Sequence, residues 1–228
     1  VLPTSALQAA PKRERRKDAR PSEILDAALD VFAERGFAAA KLDEVAARAG
    51  VSKGTLYLYF TSKEELFKAV VRKNIVSMLA EGRAMIASWP GNTADLLREF
   101  MIEWWRRKGE TKVSAIPKVI MAEARNFPDI AAFYVEEVIS PAHEMIASIF
   151  ERGVARGEFV RPANMEDAVH SVVSAVLFLV NWKHSFACCV AGSEMHPERF
   201  LVNHANLLIE GLAVRERVAA PKRTARHQ

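Results

Sequence analysis

Cysteine is nearly absent: there are two in 228 residues, and they are neighbours, Cys188 and Cys189. That excludes a disulfide-stapled fold and a multi-cysteine zinc module, and it fits a reducing compartment. Adjacent cysteines rarely form a relaxed disulfide, so the pair reads as small, partly buried thiols. Glycine and proline number only ten each, which excludes collagen-like and linker-like sequence. No apolar run is long enough for a bilayer: the least charged stretch, Ala168 to Trp182, contains His170 and falls short of the ~20 residues a span needs. The opening VLPTSALQAA precedes the first basic run, the wrong order for a secretory signal. Alternating β-branched runs with hairpin turns are missing, as are internal repeats. So are a Gly-x-Ser-x-Gly elbow, a phosphate-cradling Gly-rich loop, a dinucleotide fingerprint and any metal-ligand spacing among the histidines. These absences lead to the expectation of a cytoplasmic, all-α chain that is not an enzyme and needs no cofactor.

Charge is present but unevenly placed. The chain carries 32 Lys plus Arg against 28 Asp plus Glu, a net of +4. Residues 11–20 (PKRERRKDAR) and 215–228 (RERVAAPKRTARHQ) each hold +4, which leaves the body between them at −4. Basic termini reach for phosphate or simply keep a chain soluble, and charge alone does not choose between the two.

Helical periodicity fills the body. Pro21, Ser22 and Glu23 open a first helix whose stripe is Ile24, Leu25, Ala28, Leu29 and Phe32, and Gly36 ends it. A short helix follows from Leu42 to Ala49. Gly50-Val51-Ser52 breaks it, Ser52 caps another short helix, KGTLYLYF, and Thr61 or Ser62 caps a longer one. Further helices are expected over Thr93–Lys108, from Pro117 to about Asn126, in two pieces divided at Pro128 and Pro141, over about Met165–Phe186 and over about Pro197–Ala213. The organisation reads as a basic flexible tail (1–20), a helix-turn-helix domain (21–67), a larger helical domain (68–214) and a second basic tail (215–228).

Two short helices joined by Gly-Val-Ser after a longer one have the geometry of a helix-turn-helix reader of DNA. Gly50 supplies the flexible turn residue and Val51 the apolar plug. Lys53, Thr55, Tyr57 and Tyr59 line the second short helix with an amine, hydroxyls and aromatic edges. Gly54 lets the backbone approach a phosphate, and Leu56 and Phe60 face inward. Packing with an exposed hydroxyl is an alternative role for each tyrosine. Lys41, Ser52 and Lys63 complete the candidate DNA-contacting set.

ILDAALDVFAERGF followed by DEVAARAGVSKGTLYLYFTSKEELF resembles the DNA-binding region of the TetR family of bacterial transcriptional regulators, nearly continuously over residues 24–67. The resemblance implies an N-terminal three-helix DNA-binding domain, a larger helical ligand-binding domain, and a homodimer that leaves a palindromic double-stranded operator when a small-molecule inducer binds. Where the family usually places Thr and Ser or Thr before the second helix, this chain has Ala40 and Lys41. Lys41 can replace a phosphate contact but not a cap.

In the larger domain, Met101, Trp104, Trp105, Met121, Phe127, Tyr134, Phe178 and Trp182 are the candidate lining of an inducer cavity, with core packing as the alternative for each. Few charges interrupt these helices, so the expected ligand is hydrophobic. Dimerisation is expected through residues 165–186 and 197–213. In the first segment Val169, Val172, Val173, Val176 and Val180 form one stripe, while Ala168, Ala175, Leu179 and Trp182 form another. In the second, Phe200, Leu201, Leu207, Leu208 and Leu212 form a matching stripe. The expected function is therefore a repressor released by a hydrophobic inducer. Two rivals stand beside it: an inducer-independent or architectural DNA-binding protein, and a helical enzyme with a vestigial reader.

Overall fold

A computed structural model describes residues 15–190 and 195–214. The basic stretches 11–14 and 215–228 lie outside the described residues. Eleven α-helices, with short π- and 3-10 turns between some of them, make up most of the described residues. α1 (Arg15–Ala39), α2 (Leu42–Arg48), α3 (Lys53–Tyr59) and α4 (Lys63–Val71) come first. α5 (Ser77–Ser88), α6 (Thr93–Trp104), α7 (Ala115–Glu123), α8 (Pro128–Tyr134), α9 (Ser140–Ala155), α10 (Met165–Asn181) and α11 (Pro197–Leu212) follow. The one β-type pairing among the described residues is an isolated bridge between Phe159 and Ala213.

The helix boundaries follow from local chemistry. Ser52, Ser62, Asn92 and Asn164 each accept a backbone N–H from the first turn of the helix they precede, as N-caps should. Lys41, before α2, makes no such bond. Gly36 has φ 76°, a conformation that costs other residues a steric clash, and it interrupts α1 before its last three residues.

One expectation about proline needs correction. Pro21 does not open α1, which starts six residues earlier at Arg15 and carries Pro21 inside it. The good helix formers of RRKDAR extend the helix backwards, at the cost of the hydrogen bond that Pro21 cannot donate. Pro128 and Pro141 stand in the first turns of α8 and α9, as expected, but the chain does not leave the helix between the two. A π-turn at Val135–Ile139 joins α8 to α9, and such a widened turn is a common way to carry a helix past a residue that disrupts the regular ladder. A similar π-turn, Arg72–Val76, joins α4 to α5, so the chain crosses residue 67 without leaving the helix.

Two hydrophobic cores result. The first gathers Ile24, Val31 and Phe32 of α1, Val45 of α2, Leu56 of α3 and Phe67 of α4. It continues into Ile116, Val119 and Ile120 of α7 and Ile130 and Phe133 of α8. Phe32, Phe37 and Phe67 meet edge-on or stacked at 5.0–5.8 Å, and Phe127 closes on Phe37 at 4.7 Å. Full burial of each such ring is worth about 2–3 kcal/mol. The second core joins α5, α6, α9, α10 and α11. The reader helices therefore share a core with α7 and α8 rather than standing apart.

The expected stripes of α10 also need correction. Its buried residues are Val169, Val172, Ala175, Leu179 and Val180, drawn from both stripes. Val173 and Val176 are half-buried against the same core. The outward face carries His170, Ser174 and Phe178. Valine, alanine and leucine cover most of the helix's circumference, so the sequence period left two candidate inner faces.

Candidate functional site

α2 and α3 are held at an angle by Gly50, at φ 66°, with Val51 tucked against the first core. Arg48 fixes α2 to α1 through both oxygens of Glu34, at 2.7 and 2.9 Å. That bond holds the Glu34 carboxyl below its ordinary range and raises Arg48. Leu56 anchors α3 with no exposed surface, and the rest of the helix faces solvent.

The sequence-derived DNA residues fall into three groups. Lys41, Ser52, Lys53, Gly54, Tyr57 and Tyr59 are all exposed, four of them on α3. Ser52 Oγ accepts the Thr55 amide at 3.0 Å and lies 2.8 Å from Thr55 Oγ1, so the half-buried Thr55 hydroxyl is oriented by the cap. Lys63 stands apart from both groups. Its ammonium donates to the carbonyls of Phe37, Ala38 and Ala40 at 2.8, 3.0 and 3.3 Å and sits 4.7 Å above the Phe37 ring. All three N–H donors are thereby used at the end of α1. Lys53 is also engaged: Asp43 Oδ1 lies 2.8 Å from its ammonium, and this hydrogen bond raises the lysine further. The sequence reading passed over Leu58, which is 84% exposed between the two tyrosines.

The second feature is a cavity of about 120 Å³ between α5, α6 and α9. Met78, Gly82 and Met85 of α5, Phe100 and Trp104 of α6, and Met145 of α9 line it, with Glu81, Glu103 and Arg107 at its polar side. Arg107 ties the two acids together, reaching Glu81 at 2.6 Å and Glu103 at 2.9 Å. Of the expected lining, Trp104 alone reaches this cavity. Met101 and Trp105 are buried in the second core, and Tyr134 is buried in the first, where desolvation raises its hydroxyl pKa. Phe127 packs on Phe37, and Met121 is exposed. Phe178 is exposed on α10, with the half-buried Trp182 at 6.1 Å. The signal that was missed is the methionines: three of the chain's seven lie here, on helices far apart in sequence.

Cys188 and Cys189 are free and exposed rather than partly buried, their Sγ atoms 3.2 Å apart. Among the described residues no group of three or more His, Cys, Asp or Glu could hold a metal ion, and no helix is long and apolar enough to cross a membrane.

Comparison with known proteins bears on both features. Residues 24–70 match the family model of the bacterial regulatory proteins of the tetR family, and residues 90–184 match the tetracyclin repressor-like C-terminal domain. The HTH-type transcriptional activator FasR of Mycolicibacterium smegmatis is 41% identical over 76 residues, covering 33% of this chain and 35% of that protein. The HTH-type transcriptional repressor KstR2 of Rhodococcus jostii is 25% identical over 198 residues, 86% of this chain and 93% of its own. The structure of the regulator FadR from Bacillus subtilis, in complex with stearoyl-CoA, superposes with a TM-score of 0.66 at 17% identity, over 83% of this chain and 98% of that one. The helix-turn-helix and the domain that carries the cavity thus match the two halves of one family, and the chain belongs to it: it is a DNA-binding transcriptional regulator of the TetR family.

Proposed function

We propose that this regulator is a homodimeric repressor that leaves a palindromic operator when a small hydrophobic inducer enters the cavity between α5, α6 and α9. The observation that carries this reading is the cavity itself, an apolar pocket open to solvent on one side, in a domain whose neighbouring helices pack directly on the reader. A cavity of about 120 Å³ is smaller than the ~300–1,000 Å³ of drug-sized sites. It suits one small apolar molecule, or one end of a larger amphiphile. Met78, Met85 and Met145 are unbranched and polarisable, so they can repack around a longer occupant. The Bacillus subtilis neighbour was captured with stearoyl-CoA, a ligand with a long apolar chain on the same fold.

The route from cavity to DNA runs through packed helices. α9 lines the cavity and is continuous with α8 through the π-turn, and α8 and α7 share the first core with α1 to α4. A shift that favours one packing of α9 would be felt at the reader, since packed interfaces move between discrete arrangements.

The test begins with enrichment of operator sequences from a random DNA pool, followed by a series of apolar ligands. The expected result is an enriched palindrome, quenching of Trp104 fluorescence and release of DNA by the same ligands. Occupancy at a hundredfold excess over Kd stabilises the protein by ~2.7 kcal/mol, visible as a rise in Tm. DNA binding without palindrome preference and without any ligand response would favour the inducer-independent, architectural reading.

A further inference from the structure

At about 100° per residue, the side of α3 opposite its buried anchor Leu56 is formed by Gly54 and Leu58, while Lys53 and Tyr57 lie on one flank and Thr55 and Tyr59 on the other. Leu58 is 84% exposed, against 43% for Tyr57 and 37% for Tyr59, and it is the most exposed large apolar side chain among the described residues. A leucine there contributes nothing to the core that a polar residue would not replace. Its neighbour on the ridge, Gly54, has no side chain at all.

In a helix-turn-helix the second helix enters the major groove. The outer ridge of α3 is the part that goes deepest. With glycine at one of its two positions, the backbone can approach the base edges closely, and Leu58 is left as the ridge's one side chain. Leucine offers neither donor nor acceptor. The one apolar group that base pairs present on the floor of the major groove is the thymine C5-methyl. We infer that Leu58 determines specificity by packing on a thymine methyl in each half-site of the operator. The flanking Tyr57, Tyr59 and Lys53 carry the polar groups that reach phosphates. This inference rests on the DNA-binding reading above and adds to it the residue that selects a base.

The experiment uses the full chain and an operator enriched from a random DNA pool. Each thymine is replaced in turn by deoxyuridine, which lacks only the methyl group. Replacement at one position per half-site is expected to weaken binding about fourfold, the worth of one buried methyl. Leu58→Ala should bind the thymine operator with a similar or larger loss, and should no longer distinguish thymine from uracil there. Because Leu58 is so exposed, the variant should melt with the wild type. Leu58→Asn, with a donor and an acceptor in place of the apolar branch, should also lose the methyl dependence. An enriched operator whose thymines all tolerate loss of the methyl overturns this inference alone, as does a Leu58→Ala variant that keeps the thymine preference. Failure to enrich any sequence overturns the sequence-specific regulator reading together with it.

Discussion

The Glu123 carboxylate accepts the Ala38 backbone N–H at 3.0 Å, joining the C-terminal end of α7 to the last residues of α1, beyond Gly36 and 85 residues earlier. Phe127 adds a ring contact to Phe37, and Lys63 gathers the carbonyls of Phe37, Ala38 and Ala40. The segment that sets the entry of α2 is thus held by a residue of the larger domain. Glu123→Ala should release the Ala38 amide, and its hydrogen exchange should speed up about fivefold if the bond is worth ~1 kcal/mol. Glu123→Gln keeps an acceptor and should stay near the wild-type rate. Equal protection in all three proteins would show that the bond does not restrain the segment.

Asp43 and Lys53 form an ion pair on the exposed face of the reader, with both side chains more than half exposed. A phosphate that approaches Lys53 must compete with that carboxylate. Asp43→Asn should therefore strengthen binding severalfold to operator and random DNA alike, and make the slope of log K against log salt steeper by about one counterion. A salt titration from about 50 to 200 mM reads both effects. An unchanged slope would place Lys53 away from the backbone.

The reader was legible in the sequence because its signals are local. Gly50, Val51 and Ser52 stand next to one another, and each acts on atoms within a few residues of itself. Ser62 could be read for the same reason. The π-turn that joins α8 to α9 just before Pro141 was not legible, because no residue type marks such a widened turn. The cavity was harder still. Its methionines come from α5 and α9, and no periodicity within one helix relates Met78 to Met145. Leu58 escaped notice because an exposed leucine and a buried one look alike in a seven-residue helix that also contains Leu56.

His184 gives the stability a pH dependence. Its Nε2 lies 2.8 Å from Ser114 Oγ, its carbonyl accepts the Lys118 ammonium, and Lys183 adjoins it. Burial first, then the charges of Lys183 and Lys118, hold the imidazole pKa below its ordinary 6.5. The acid on this side is Glu110, which acts on Lys183. A depressed folded pKa means that the unfolded chain binds the proton more readily. Stability is then full above pH 6.5 and declines as the pH falls through 6.5 toward the folded value. His143, lowered by burial and by His170 against the opposing pull of Glu166, acts in the same direction. His184→Gln should reduce the fall in Tm between about pH 7.5 and pH 5 without abolishing it. An undiminished fall would assign the whole dependence to other groups.

The valine stripe of α10 faces the protomer's own core and does not offer the dimer surface. Val176 is half-buried against the second core, so Val176→Asp would damage the protomer as well as any interface. Phe178 is the better probe. It is 44% exposed on the outer side of α10, and Phe200 of α11 lies 5.3 Å from it, ring to ring. Leu207 of α11 is 70% exposed, and Phe186, just beyond α10, is 54% exposed. Large apolar groups gathered on two adjacent helices mark an interaction surface. A second copy of the same surface, related by a two-fold axis, would cover it as a four-helix bundle. Such a pairing also serves the reader, because two recognition helices must meet half-sites about 34–36 Å apart or a multiple of that. The wild-type chain should sediment at twice its 25.4 kDa. Phe178→Asp should sediment at 25.4 kDa with its helical circular dichroism intact, because the side chain it replaces lies outside the core. Operator binding by that variant should fall steeply, while binding to a single half-site should change little. A wild-type chain that sediments as a monomer at micromolar concentration would refute the dimer, and a Phe178→Asp variant that stays at twice the chain mass would move the interface elsewhere.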